Sequence, residues 1–194
     1  MPTRDRPTSL WCSIASVIDQ LEDGDELIVV GDDRQDEAAS VVESFQPANL
    51  FYVEAFHHGS VFGNAQRTFA MQLALGRSSH VAFLDDDDVY TPDALDIMRY
   101  CIGDDRTHAH IFKARWGPGH HAQGTVLWAD REVRESNIAS PMCVLPNRPY
   151  RESWFDHNDR GRNGITSDYG FLSAAIGECD GAIFHEPVIA VVRP

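Results

Sequence analysis

Along the first hundred residues the apolar positions switch repeatedly between two spacings. In "PTSLWCSIASVIDQL", Leu10, Ile14, Val17, Ile18 and Leu21 fall on one helical face, with Pro7 ahead and Thr8 or Ser9 available as cap. "ELIVVG" is a short continuous apolar run rich in β-branched residues, the pattern of a strand covered on both faces. "DDRQDEAASVVESF" begins with acids and returns to helical spacing, and "NLFYVEAF" reads as a second strand. "GNAQRTFAMQLALG" is a helix of strong formers ending at Gly76. "SHVAFLD" is a third strand, and "TPDALDIMRYCI" is a helix with Thr91 as cap and Pro92 in its first turn.

The second half changes character. "HAHIFKARW", "GTVLWA" and "NIASPMCVL" predict strands of an antiparallel or mixed region. "FDHNDRGRNG" is polar and glycine-containing, as loops are. "TSDYGFLSAAIG" predicts a helix with Thr166 or Ser167 near its cap, and "GAIFHEPVIAVV" predicts two short strands around Pro187. Strand and helix alternating in this way predict an α/β fold: a mostly parallel central sheet with helices on both faces, and a smaller mixed or antiparallel C-terminal part. No repeat, low-complexity tract or linker divides the chain, so one domain over 1–194 is expected.

In open parallel sheets, ligands bind outside the carboxyl ends of the strands. Two acidic clusters fall there: Asp32 and Asp33 after "ELIVVG", and Asp85 to Asp88 after "HVAFL". Two carboxylates about 7 Å apart repel by roughly 2 kcal/mol at an effective dielectric of about 20, so four in a row need an explanation. A hard divalent cation with a diphosphate would offset the repulsion. A solvated acidic loop with a helix cap is the other reading of the run alone. If the strand continued, Asp85 and Asp87 would point one way and Asp86 and Asp88 the other, with Asp88 helping to start the next helix. Asp32 can serve a base or ribose, or cap a helix. Asp168 at a helix start can be a general base or an ordinary helix-start acid. His185 after an apolar run can be a metal ligand or a hydrogen-bonded, half-buried side chain. The pairs His57–His58 and His120–His121 lack zinc spacing and read as loop residues.

Composition narrows the partners. The 194 residues are 43% hydrophobic and carry a net charge of −14 with one lysine, Lys113, which disfavours nucleic acid although a local arginine patch remains open. Cys12, Cys101, Cys143 and Cys179 form no C-x-x-C pair and read as reduced thiols. No apolar run is long enough to span a bilayer, and "MPTRDRPTSLW" has no signal core, so a cytoplasmic protein is expected. Walker, dinucleotide-fingerprint and nucleophile-elbow motifs do not occur.

In order, "PTRDRPTSLWCSIASVIDQ", "DELIVVGDDRQDE", "GNAQRTFAMQLALG" and "VAFLDDDDVYTPDAL" resemble the family 2 glycosyltransferases of the GT-A (Rossmann-like) fold. That family reads P-T-x-N-R, V-V-D-D-x-S, R-N-x-G and F-L-D-x-D-D with a proline shortly after. The resemblance covers residues 2–100 well. Over 101–194 it is looser, with "TSDYGFL" similar to an E-D segment and "FHEPV" to a C-terminal histidine. The family's first strand ordinarily precedes P-T, so the expected fold has that strand truncated, or a start lying upstream. Gly31, Asp5, Thr68 and Ser167 depart from the family's residues.

The resemblance implies a metal-dependent, inverting transfer of a sugar from a nucleotide-diphosphate donor, UDP more than GDP, with Mn or Mg as cofactor. It implies Asp87 and His185 as metal ligands, and Asp85 or Asp86 beside the ribose or cation. Asp32 and Thr3 would flank the base, Arg67 would face the diphosphate, and Asp168 would be the base acting on the acceptor hydroxyl. Residues 1–100 would hold the donor and 101–194 the acceptor, with 157–164 as a lid and Trp154 and Trp116 as sugar-stacking candidates. The acceptor is unspecified, and a homo-oligomer could complete its site. A nucleotidyltransferase is the competing enzyme, although "PTRDRPTSL" lacks the glycine-rich triphosphate loop. A non-catalytic nucleotide-sugar binder and a metal-free acidic scaffold are the competing non-enzymes.

Overall fold

The computed structural model describes residues 1–46, 48–55, 63–118, 123–154 and 167–193. In chain order the elements are β1 (Pro2–Thr3), α1 (Pro7–Ile18), β2 (Leu27–Asp32), α2 (Asp36–Glu43), β3 (Leu50–Ala55), α3 (Asn64–Ala74), β4 (His80–Ala82), β5 (Asp88–Tyr90) and α4 (Ala94–Ile102). Then follow β6 (Ala109–Trp116), β7 (Val126–Leu127), a 3-10 turn at Ser140–Met142, β8 (Cys143–Pro146), α5 (Ser167–Gly177) and β9 (Ala182–Val192). The fold is α/β, with every helix of the sequence reading present and shifted by a few residues at its ends. Thr8 and Ser9 fall inside α1 rather than capping it, and Ser9 donates its hydroxyl back to Arg6 O. Thr91 donates instead to Val188 O of β9, tying the start of α4 to that strand.

Two sheets form. β1, β2 and β3 are parallel in that order, with Pro2 opposite Val30 and Leu27 opposite Leu50. The second sheet runs β4-β8-β6-β9-β5, with β7 on the end of β6; only β6 and β9 are parallel. This mixed sheet draws in β4 and β5 from the first half, so among the described residues it is the larger of the two. Two elements differ from their expected form. "GAIFHEPVIAVV" is one strand, not two, because its pairing with β6 jumps from Ile111↔Phe184 to Lys113↔Val188 and leaves His185, Glu186 and Pro187 in the irregularity. A proline lacking its N–H is tolerated at such a bulge. "NIASPMCVL" pairs only from Cys143 onward, because Pro141 sits in the 3-10 turn.

Leu10 and Ile14 of α1 bury against Val29 of β2 together with Ala38 and Val42 of α2. A larger core joins Ile111 and Phe112 of β6, Val144 and Leu145 of β8, Ile189 of β9, and Phe171 and Leu172 of α5. Burying a side chain of this size is worth about 1.5–3 kcal/mol, so this core is what holds β5, β9 and α5 in place beside the aspartates. Among the described residues no helix is long and apolar enough to cross a membrane.

Candidate donor and metal site

β2 ends at Asp32, and β1 beside it ends at Thr3, which is 3% exposed and opposite Gly31. Gln66 Nε2 of α3 donates to Asp32 Oδ1 at 2.7 Å, and Arg4 Nη1 donates to Oδ2 at 3.1 Å. The Asp32 carboxylate is thus aimed by two neighbours at the carboxyl end of the parallel sheet.

The run after β4 is a turn rather than a continued strand. Asp88 N donates to Asp85 O at 3.1 Å, closing four residues before β5 begins. The alternation expected of a strand therefore fails. Asp85, Asp87 and Asp88 offer carboxylate oxygens that lie within 4.8 Å of one another. Asp86 turns away: it accepts from Arg4 N at 3.3 Å and from Arg6 Nη1 at 3.4 Å. Asp88 does not start a helix. Its side chain is buried against Arg193, whose N–H donates to Asp88 Oδ1 at 2.8 Å.

Charges of both signs meet here. Arg6 Nη1 lies 2.6 Å from Asp87 Oδ2, with Arg193 Nε at 3.9 Å on the same oxygen. Burial, with Asp85 and Asp87 close by, pushes the Asp88 carboxyl up to about 8. Burial also raises Asp86, against the pull of Arg6. A trio of hard oxygen donors is the donor chemistry that suits Mg2+ or Mn2+ and not a soft ion. On donor type and spacing the three aspartates fit a divalent cation.

Arg67 of α3 links this trio to Asp168. It is 5% exposed, ion-paired with Asp85, bonded through Nη1 to Asn64 Oδ1 at 3.1 Å, and stacked 4.8 Å above the Trp154 ring. Its charge also acts on Asp168, in the first turn of α5. Asp168 Oδ2 accepts from Ser140 Oγ at 3.2 Å. Burial raises the Asp168 carboxyl and Asp85 raises it further, while Arg67 and Ser140 oppose. A buried carboxyl raised above its ordinary range suits a proton acceptor.

Thr3, Asp32, Arg67, Asp85, Asp86, Asp87 and Asp168 are thus brought to one end of the molecule, and His185 is not. β5 pairs with β9 at Asp88↔Val192, and His185 lies seven residues back along β9. At about 3.3 Å per residue it sits roughly 20 Å from the aspartates. There its Nε2 is 3.0 Å from His110 Nδ1 and its ring stacks on Phe112 at 4.6 Å. Trp154 is fully buried and stacked on Phe171 at 4.4 Å, so it is core rather than a sugar platform. Trp116 is half-buried opposite Val192, one strand from Asp88. The segment 157–164, Thr166 and both histidine pairs lie outside the described residues. The sequence reading did not single out Arg4, Arg6, Gln66, Ser140 and Arg193. Of these, Arg6 stands at the arginine of P-T-x-N-R and was open to recognition.

Comparison with known proteins agrees with this fold. The chain is similar in fold to Staphylococcus aureus TarS 1–349, at a TM-score of 0.74 and 17% identity over 98% of this chain and 58% of that one. The same protein has been solved with UDP-GlcNAc. A mannosyltransferase of Pyrobaculum calidifontis, PcManGT, solved with GDP-Man and Mn2+, matches at a TM-score of 0.64 and 17% identity, covering 99% of this chain and 55% of that one. The chain therefore spans a little over half the length of these structures. No curated protein matches it. The family described as Glycosyl transferase family 2 matches residues 1–158, which include every acidic residue of the site except Asp168, and the chain belongs to that family.

Proposed function

We propose that the chain transfers a sugar from a nucleotide-diphosphate donor, UDP- in preference to GDP-, to an acceptor hydroxyl with inversion at the anomeric carbon. One observation carries this reading: three carboxylates converge after β4 while a fourth, Asp168, faces them across Arg67. UDP-GlcNAc bound to TarS and GDP-Man with Mn2+ bound to PcManGT support the donor class.

Asp85, Asp87 and Asp88 would hold Mn2+ or Mg2+, which supplies Lewis-acid neutralisation of the departing diphosphate. Asp32, with Thr3 beside it on β1, reads the base or ribose. Asp86 holds Arg4 and Arg6 at the donor rim, and Arg6 and Arg193 lie where phosphate charge would enter. Asp168 Oδ takes the acceptor proton as the hydroxyl oxygen attacks, and Ser140 holds that carboxylate in place. Residues 1–100 form the donor half and 101–194 supply the acceptor side. The net charge of −14 disfavours an anionic acceptor.

The test is turnover of UDP- and GDP-sugars with Mn2+, with the product anomer read by NMR. Asp168→Asn is expected to bind UDP as the parent does and to lose about a hundredfold or more in kcat. Full turnover in Asp168→Asn, or a product with retained configuration, would remove the assignment.

A further inference from the structure

Four histidines and an aspartate gather where β4 and β6 begin, at the end of these strands away from the aspartate run. His80 opens β4, His110 is the second residue of β6, and Asp105 and His108 lie between α4 and β6. His185 reaches the group from the irregularity in β9. Asp105 is fixed by its own backbone. Its Oδ1 accepts the N–H of Thr107 at 2.8 Å and that of His108 at 3.2 Å, an Asx turn. These bonds hold the carboxyl below its usual range, so it is ionised. Oδ2 is left facing two rings, with His108 Nδ1 at 2.8 Å and His110 Nε2 at 3.7 Å.

His80 and His110 divide their ring nitrogens in the same way. His110 Nδ1 is 3.0 Å from His185 Nε2, and His80 Nδ1 is 3.0 Å from Ser79 Oγ. The Nε2 of each ring is buried and has no hydrogen-bond partner. His110 is 1% exposed, so its Nε2 cannot turn to solvent instead. The two rings meet edge to face, 6.2 Å apart. Burial, with His185 next, pushes the His110 imidazole down to about 4, and burial lowers His80 as well, so both rings are neutral at pH 7. With Nδ1–H donated to its neighbour, each ring presents an Nε2 lone pair. A lone pair 3.7 Å from an ionised carboxylate oxygen is too distant to bond and is repelled by it. A cation between them removes both costs. Two ligands bound at about 2.1 Å to a tetrahedral Zn2+ stand about 3.4 Å apart, close to the spacing of His110 and Asp105.

We propose that His80 Nε2, His110 Nε2 and Asp105 Oδ2 bind one Zn2+ ion, at a site separate from the aspartate trio, with water in the fourth position. Two imidazoles and a carboxylate suit Zn2+, whereas the all-oxygen trio suits Mg2+ or Mn2+. His185 and His108 are the orienting partners, one on the far nitrogen of His110 and one on the carboxylate. Asp105 and His110 already stand at ligand spacing. His80 stands further out, outside any close trio of donors, and closes on the ion by turning its side chain. The ion ties β4 to β6 across β8 and to the turn after α4, and so anchors the strand that leads into Asp85.

The test titrates Zn2+ into the full chain in excess Mg2+, with each imidazole read by long-range 1H–15N NMR. As one equivalent binds, Nε2 of His80 and of His110 should shift while both Nδ1 atoms stay protonated. Zn2+ at a hundred times its Kd should raise Tm by about 5 °C or more. His80→Gln and His110→Gln should each weaken Zn2+ binding about tenfold or more by isothermal titration. His80 is only half-buried, so His80→Gln and the parent spectra decide the matter if His110→Gln does not fold. Shifts confined to other histidines, or a His80→Gln chain that binds Zn2+ as tightly as the parent, would overturn the proposal. Unshifted His80 and His110 at saturating Zn2+ would leave a bridging water as their partner and refute the ion.

Discussion

Replacing Arg67 by methionine removes a cation that serves both Asp85 and Asp168, while keeping an apolar stem over Trp154. The guanidinium side chain is 4% exposed and Asp85 is 26% exposed, so the broken pair is a buried one with a wet partner. Truncating one member of a buried pair costs about 3–5 kcal/mol, and the exposure of Asp85 puts this case at the lower end, about 3 kcal/mol. For a chain of this length that lowers Tm by roughly 6–12 °C. The deficit should depend on pH. Burial raises the folded Asp168 carboxyl above its unfolded value of 3.8, and Arg67 holds it down. Without Arg67 the folded value rises further. A carboxyl raised on folding makes the folded chain bind its proton more tightly, so stability falls as pH climbs from the unfolded value through the folded one. The gap between parent and Arg67→Met is therefore smallest near pH 4 and largest near pH 8. Urea denaturation across that range, without divalent cation, measures it. A deficit below about 1 kcal/mol at pH 8, or one that does not shrink on acidification, would refute the linkage through Arg67.

Three further outcomes follow from the same geometry. Asp88 is pushed up to about 8 from 3.8, so the folded chain loses stability as pH rises between those values; Asp88→Asn should melt several degrees above the parent at pH 8 in chelator and match it at pH 4, by differential scanning fluorimetry. Gly63 caps α3 at φ 73°, and a Cβ there would stand 2.7 Å from Pro2 Cβ, so Gly63→Ala should lose about 2 kcal/mol in urea midpoints. His185→Gln should leave Mn2+-dependent stabilisation by UDP unchanged, since the side chain packs on Phe112 away from the aspartates; loss of that stabilisation would return His185 to the metal site.

What the sequence disclosed was local. Asp85 and Asp87 were legible because an acidic run after a buried strand falls at a strand's carboxyl end whatever the rest does. Asp88 was not, because a period-two rule holds only while the strand lasts, and here β4 stops at Ala82 and a turn folds Asp88 back beside Asp85. His185 was misplaced for a related reason. A histidine near Pro187 reads as a strand end, yet the backbone carries on through the irregularity and ends at Val192, leaving Arg193 rather than His185 beside Asp87. Ser140 and Arg193 depend on contacts 28 and 105 residues away in sequence, which no local pattern encodes. Of the three strands expected to share one parallel sheet, "SHVAFLD" joined the mixed sheet, where β8, from more than sixty residues further along the chain, pairs antiparallel with it.

The central claim is that Asp87 helps to hold a cation on which donor binding depends. Isothermal titration of UDP and GDP into the parent and Asp87→Ala, each with Mn2+ and with chelator, addresses it directly. The account predicts binding by the parent with Mn2+, loss of at least about tenfold in affinity on chelation, and the same loss in Asp87→Ala with Mn2+ present. Equal affinity with and without Mn2+, or a fully Mn2+-dependent Asp87→Ala, would contradict it.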